Sequence, residues 1–115
     1  MKPAPFAYHA PTDVASAVRL LAEIGDGARP LAGGQSLMPM LNLRLARPEA
    51  LVDLNRIAEL DYHRIERSPE TATGSASGDV LVVGALCRQR DIERDAALLA
   101  RCGAIADAVP LKSVV

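Results

Sequence analysis

Two adjacent glycines, Gly33 and Gly34, divide two apolar stretches, and this feature constrains the fold more than any other. The short apolar run Ala28–Ala32 precedes them, and a segment that predicts a short helix follows them. Adjacent glycines permit φ > 0 and let a ligand approach the backbone closely, because no Cβ intervenes. At a strand-to-helix junction the free N–H groups and the helix dipole favour an anion. The segment therefore predicts a phosphate or pyrophosphate cradle, to which Gln35 and Ser36 add side-chain donors.

The spacing of these glycines matches neither of the common nucleotide-binding fingerprints, G-x-G-x-x-G and G-x-x-x-x-G-K-[ST]. A tight turn between a strand and a helix, in which the glycines serve only the shape of the backbone, is the alternative interpretation. The spacing alone leaves both interpretations open.

The residues themselves resemble a known family over nearly the whole chain. The central segment is Ala32-Gly33-Gly34-Gln35-Ser36-Leu37-Met38-Pro39-Met40-Leu41, continued by Leu43-Arg44-Leu45-Ala46-Arg47-Pro48. It closely resembles the first flavin-binding segment of molybdenum hydroxylase FAD subunits, which are the medium subunits of the aerobic carbon monoxide dehydrogenase and xanthine dehydrogenase families. Weaker matches follow in the family's order at Phe6–Pro11, Leu51–Asn55 and Val83–Leu86.

Carried over residue by residue, the resemblance implies an FAD site in the glycine segment. Gly33 and Gly34 would permit close approach of the pyrophosphate. Gln35 and Ser36 would hydrogen-bond its oxygens, and the neighbouring apolar residues would complete the loop and its packing. The expected cofactor-binding residues are Leu31, Ala32, Gly33, Gly34, Gln35, Ser36, Leu37 and Met38. No residue of the chain is expected to be catalytic, because the flavin supplies the redox chemistry.

The resemblance also implies a function within a larger enzyme. Hydroxylation would take place at a molybdenum cofactor in a molybdopterin-binding large subunit. Electrons would pass through the 2Fe–2S clusters of a small subunit to the FAD, and then to an external acceptor. Two alternatives remain open: a truncated, cofactor-free remnant or subunit-docking module without redox activity, and an unrelated α/β protein that binds a nucleotide phosphate.

The implied fold is α/β (α+β), an incomplete FAD-binding fold of the PCMH type. Residues 1–57 would form a small parallel βαβ-type FAD-binding subdomain, and residues 58–115 would begin a second subdomain with an antiparallel sheet. The family's second glycine motif has no counterpart here, so we expect an N-terminal fragment of such a subunit. Apolar surface intended for the remaining part would then be exposed, which predicts self-association.

Composition argues against several other classes of protein. The formal charge is −1, from 13 basic and 14 acidic residues without a basic stripe, which argues against a nucleic-acid partner. No apolar run has the length of a transmembrane helix, and the first residues do not resemble a secretory leader, so a cytoplasmic protein is expected. Cys87 and Cys102 lack metal-ligand spacing, and His9 and His63 are each expected to be isolated, so we predict no metal site.

Periodicity and breaker residues predict the elements in more detail. Helices are predicted after a Thr12 N-cap and at about Leu37–Leu43, with Ser36 as cap and Arg47-Pro48 as the end. One or two more are predicted over Arg88–Val109, split near Arg94-Asp95. Strands are predicted at Phe6–His9, Ala28–Ala32, Ala50–Leu54, Tyr62–Glu66 and Val80–Gly84. The turn-rich segment Arg67–Asp79 predicts an exposed hairpin loop. Cys87 is a poor helix cap where the family commonly has Thr, so Cys87→Thr is expected to raise thermal stability.

Overall fold

The computed structural model describes residues 1–67 and 79–112, and the chain forms two compact units, Met1–Glu59 and Leu60–Val115. We call these the N-terminal unit and the C-terminal unit. The strands are β1 (Ala7–His9), β2 (Ala28–Leu31), β3 (Ala50–Asp53), β4 (His63–Arg67) and β5 (Asp79–Val83). The helices are α1 (Val14–Ile24), α2 (Leu37–Asn42), α3 (Gln89–Arg94), α4 (Ala96–Arg101) and α5 (Gly103–Lys112), with 3-10 turns at Gly25–Gly27 and Ala58–Leu60.

The N-terminal unit is built on a three-stranded parallel sheet in the order β1-β3-β2. Ala50 on the central strand lies opposite Ala7 on one side and Ala28 on the other. Leu51 and Val52 of β3 are almost completely buried. A continuous apolar run is typical of a parallel strand that is covered on both faces. The predicted parallel subdomain is confirmed.

Helix α1 begins at Val14, one residue later than a cap at Thr12 predicts. Asp13, rather than Thr12, is the N-cap, since its backbone is extended and its Oδ1 accepts the Ser16 N–H at 2.8 Å. Hydrogen bonds from the backbone N–H and the hydroxyl of Ser16 hold the pKa of Asp13 below its usual range. At the other end Gly25 adopts φ +68° and closes the helix, as the sequence predicts.

Helix α2 matches the predicted span to within one residue, but Arg47-Pro48 does not end it. It ends at Asn42, well before Arg47-Pro48, and Arg44 follows in the left-handed region at φ +58°. Ser36 occupies the N-cap position, but its backbone is helical and its side chain makes no capping hydrogen bond. The predicted Ser36 cap is therefore wrong.

The C-terminal unit contains the predicted antiparallel pair, in which β4 and β5 align His63 with Val83 and Arg67 with Asp79. Arg67 and Asp79 therefore belong to strands, and the rest of the predicted hairpin loop, residues 68–78, lies outside the described residues. Three helices follow instead of the predicted one or two. The split at Arg94-Asp95 is present, and a second break occurs at Cys102, just before Gly103.

Cys87 does not cap α3. The N-cap of that helix is Arg88, whose backbone is extended, and it makes no side-chain capping hydrogen bond. The expected gain from Cys87→Thr thus loses its physical basis. In the described part of the chain, none of the helices has the length and apolar character needed to cross a membrane.

Candidate functional site

The predicted site lies where β2 ends and α2 begins. Residues Ala32–Ser36, which we call the glycine loop, join the carboxyl end of β2 to α2. The carboxyl ends of β1 and β3 lie at the same edge because all three strands are parallel. In open parallel sheets this edge is where ligands bind.

The two glycines of this loop differ in what the fold requires of them. Gly34 has φ +74°, and a Cβ there would lie 3.0 Å from Met38 Cγ and 3.4 Å from Leu31 Cδ1. Its carbonyl accepts the Met38 N–H at 2.9 Å, which closes the first turn into α2. A side chain at Gly34 would therefore strain the loop with or without a ligand.

Gly33 has no such structural requirement. Its φ lies outside the left-handed region, and a Cβ built on it meets no atom within 4 Å. The fold would accept a side chain at this position, yet the chain has none. The absence of a Cβ leaves the backbone open to a closely approaching group, as a pyrophosphate cradle requires.

The backbone N–H groups of the loop are available to a ligand. Among the described residues, the N–H groups of Gly33, Gly34, Gln35 and Ser36 make no hydrogen bond. Both preceding carbonyls are used, since Leu31 O accepts the Leu54 N–H at 2.9 Å and Ala32 O accepts Asn55 Nδ2 at 2.8 Å. Free donors thus follow two carbonyls that already accept hydrogen bonds, a polarity that favours an anion.

Asn55 connects the loop to a network at the end of β3. Asp53 Oδ1 accepts both the backbone N–H of Asn55, at 2.9 Å, and its Nδ2, at 2.6 Å. Asp53 Oδ2 accepts a hydrogen bond from the Tyr8 hydroxyl. Tyr8 lies on β1, which flanks β3 on the side opposite β2. The chain Tyr8–Asp53–Asn55, which we call the edge network, thereby ties all three strand ends to the Ala32 carbonyl.

The edge network perturbs the ionisation of its members. Partial burial raises the pKa of Asp53, but the hydrogen bonds from Tyr8 and Asn55, with the nearby Arg56 charge, outweigh it and hold that pKa below its usual range. The hydrogen bond to Asp53 raises the pKa of Tyr8. Asp53 thus has two hydrogen-bonding partners that sequence spacing alone does not reveal. Its position at a strand end is the signal that pointed to partners on the neighbouring strands.

The eight predicted site residues are consecutive, and they run from the end of β2 through the glycine loop into α2. The side chains of Gln35 and Ser36 are exposed, that of Met38 is partly exposed, and those of Leu31 and Leu37 are half-buried against the unit. Helix α2 has only six residues, so its dipole contributes less than the free N–H groups of the loop. The roles assigned to these residues remain predictions.

Metal binding has no support in the described residues, which contain no group of three His, Cys, Asp or Glu side chains able to hold an ion. His63, however, is not isolated as predicted. Its Nε2 lies 2.9 Å from Asp95 Oδ2, and its Nδ1 lies 3.6 Å from the Cys87 thiol. Sequence spacing gave no indication of this contact, because β4, the turn after β5 and the N-cap of α4 each supply one residue.

Comparisons with known proteins agree with this geometry. The family model described as the FAD binding domain in molybdopterin dehydrogenase matches residues 4–111. The carbon monoxide dehydrogenase medium chain of Hydrogenophaga pseudoflava is 41% identical over 111 residues, covering 96% of this chain and 35% of that protein. The caffeine dehydrogenase subunit beta of Pseudomonas sp. strain CBB1 is 41% identical over 95 residues, covering 83% of this chain and 28% of that protein.

Similarity to solved structures extends over the same region. Reconstituted CO dehydrogenase from Oligotropha carboxidovorans superposes with a TM-score of 0.81 at 38% identity, over 96% of this chain and 35% of that one. The chain thus spans roughly a third of the length of the relatives that it matches.

Proposed function

The chain belongs to the family of FAD-binding domains of molybdopterin dehydrogenases, and from this premise we propose that residues Leu31–Met38 hold the pyrophosphate of FAD. The family resemblance inferred from Ala32–Leu41 is thereby confirmed. The observation that carries the proposal is the glycine loop itself, which has four N–H groups without a partner among the described residues and one glycine that the fold does not need.

Each residue of the segment has a distinct part in this proposal. Gly33 leaves room for the phosphate oxygens, and Gly34 gives the loop the backbone turn that presents its N–H groups. The exposed side chains of Gln35 and Ser36 add donors, and Ser36 is free to do so because it makes no capping bond. The edge network holds the Ala32 carbonyl, which keeps the loop in place before a ligand binds. When bound, FAD supplies the redox chemistry.

We further propose that the chain acts within the medium subunit of a molybdenum-containing oxidoreductase. A molybdopterin-binding large subunit and a 2Fe–2S small subunit would be its partners and would carry the other cofactors. Electrons would leave through an external acceptor, and the complex would be cytoplasmic. The support is that relatives at about 40% identity are named as medium chains and subunits of dehydrogenases, among them carbon monoxide dehydrogenase and caffeine dehydrogenase.

The test is a titration of the purified chain with FAD, followed by flavin fluorescence, for the natural sequence and two matched variants. Gly33→Ala adds one methyl group at the proposed phosphate contact. Gly103→Ala adds the same group at a glycine that also has no atom within 4 Å of its Cβ position, but lies on α5. We expect Gly33→Ala to weaken FAD binding about tenfold or more, which is about 1.4 kcal/mol. Gly103→Ala should leave affinity unchanged, and neither variant should alter the melting temperature appreciably.

The outcomes separate the interpretations. Equal FAD affinity of Gly33→Ala and the natural chain would refute the proposed contact. A folded chain that binds no FAD would favour the cofactor-free docking module. Binding of ADP as tight as that of FAD would favour a site for the nucleotide phosphates alone, because the flavin would then contribute nothing to the affinity.

A further inference from the structure

Three side chains of the C-terminal unit form a second cluster, independent of the glycine loop. The Cys87 Sγ lies 3.6 Å from His63 Nδ1, and His63 Nε2 lies 2.9 Å from Asp95 Oδ2. The cluster is partly accessible, with 23% of the His63 side chain and 36% of the Asp95 side chain exposed. We call these three residues the thiol cluster.

The carboxylate decides which nitrogen of His63 carries the proton. An ionised carboxylate only accepts hydrogen bonds, so Nε2 donates to Asp95 and the proton of neutral imidazole resides there. Nδ1 then presents its lone pair to the thiol. The hydrogen bond from His63 holds the pKa of Asp95 below its usual range, so the carboxylate remains charged near neutral pH. Asp95 is itself fixed, since its Oδ1 accepts the Leu98 N–H at 3.0 Å and caps α4.

The surroundings of Cys87 keep its proton on sulfur at rest. Burial raises the pKa of the thiol, and the negative charges of Asp61, before β4, and Asp91, on α3, raise it further. Among the described residues, the other hydrogen-bond acceptor near the Cys87 thiol is the Arg88 carbonyl oxygen, 3.9 Å from Sγ. Formation of the thiolate therefore depends on a base, and Nδ1 of His63 is the nearer acceptor.

We propose that Cys87 is a histidine-assisted thiol and a site of oxidation by hydrogen peroxide. The Sγ proton passes to His63 Nδ1 while sulfur attacks one peroxide oxygen. An S–O bond forms, the O–O bond breaks, and sulfur transfers two electrons to the peroxide. The departing hydroxide takes the proton from Nδ1 and leaves as water. The products are Cys87 sulfenic acid and one water molecule, and His63 is regenerated.

Cys102 provides an internal control on the same chain. It is also a half-buried free cysteine, but its thiol makes no recorded hydrogen bond to a histidine in the described part of the structure. A difference in oxidation rate between the two cysteines of one sample cannot come from differences in concentration, oxidant or buffer.

The experiment treats the full chain with hydrogen peroxide, traps sulfenic acid with dimedone, and follows each cysteine by mass spectrometry of its peptide. In the natural chain Cys87 should be labelled about tenfold faster than Cys102, the low end of what a positioned general base contributes. His63→Gln should reduce the Cys87 rate to that of Cys102. Asp95→Asn retains a cap for α4, yet its amide can donate to the ring and favour the other tautomer, so it should give an intermediate rate.

A pH series separates base assistance from a purely structural role. In the natural chain the pH profile of the Cys87 rate should differ from that of Cys102, and this difference should disappear in His63→Gln. Labelling of Cys87 no faster than Cys102, or an unchanged Cys87 rate and pH profile in His63→Gln, would refute the proposal. Unfolding of a variant would be recognised by a simultaneous rise at Cys102, in which case Asp95→Asn supplies the decisive comparison.

Discussion

The two units of this chain place functional groups by different means. In the N-terminal unit, backbone groups of the glycine loop form the candidate site, and a buried parallel sheet holds them. In the C-terminal unit, side chains form the thiol cluster, and one hairpin with short helices holds them. Most of the buried hydrophobic side chains belong to the first unit, and among the described residues of the second only Leu86 and Leu98 join them.

This difference follows from what each site needs. A row of N–H donors exists only while the chain keeps one backbone path, so it requires strand ends that cannot shift. A side-chain cluster tolerates more movement, because a strand fixes His63, a helix cap fixes Asp95 and a turn fixes Cys87, each separately. We therefore expect the two sites to lose order through different substitutions.

The largest effect is expected at the core of the N-terminal unit. Leu51 is 2% exposed on the central strand, and Leu51→Ala would leave a cavity beneath all three strands. We expect a loss of about 3 kcal/mol in unfolding free energy. Hydrogen exchange should show faster opening of β1–β3. The FAD titration should show weaker binding, and the rate of Cys87 oxidation should be unchanged. A parallel loss of protection in β4 and β5 would contradict the separation of the two sites.

The corresponding change in the C-terminal unit is Gly84→Ala. Its N–H donates to Tyr62 O at 2.8 Å, and a Cβ there would overlap the Leu60 carbonyl oxygen and the Tyr62 ring. A backbone atom cannot move aside without distorting the chain, so we expect Gly84→Ala to lower the free energy of unfolding by about 2 kcal/mol. Protection should fall in β4 and β5, and the Cys87 rate should approach that of Cys102, while FAD affinity remains. Weaker FAD binding would show that the glycine loop depends on this unit as well.

The smallest effect is expected from the edge network. The pKa of Asp53 is held below its usual 3.8, so its stabilising contribution is present above that value and is lost as pH falls through the lower folded pKa. Asp53→Asn removes this titration, and the decline in stability between about pH 5 and pH 3 should become shallower. Melting curves over that range provide the measurement. An unchanged slope would mean that Asp53 contributes nothing through its charge. Glu49→Gln, the same carboxyl-to-amide change outside the edge network, is the control.

Much of the N-terminal unit was predictable from local pattern. The apolar run at Ala50–Leu54, the Gly25 stop and the paired glycines each carry their signal within a few residues. The second break at Cys102 was missed although Gly103 follows it, because apolar periodicity continues across that point. No short-range sequence pattern predicts the thiol cluster, since Cys87 lies 24 positions from His63 and Asp95 lies 32 positions from His63.

The sequence by itself determined the family, the parallel and antiparallel parts of the fold, and the segment Leu31–Met38 as the candidate cofactor site. Short-range spacing suffices there, because glycine turns and apolar runs act through their neighbours along the chain. Tertiary structure alone decided which glycine the fold requires and which it leaves open. It also brought Tyr8 and Asn55 to Asp53, and Asp95 and Cys87 to His63. Such partners depend on strand register and helix placement, which long-range packing fixes.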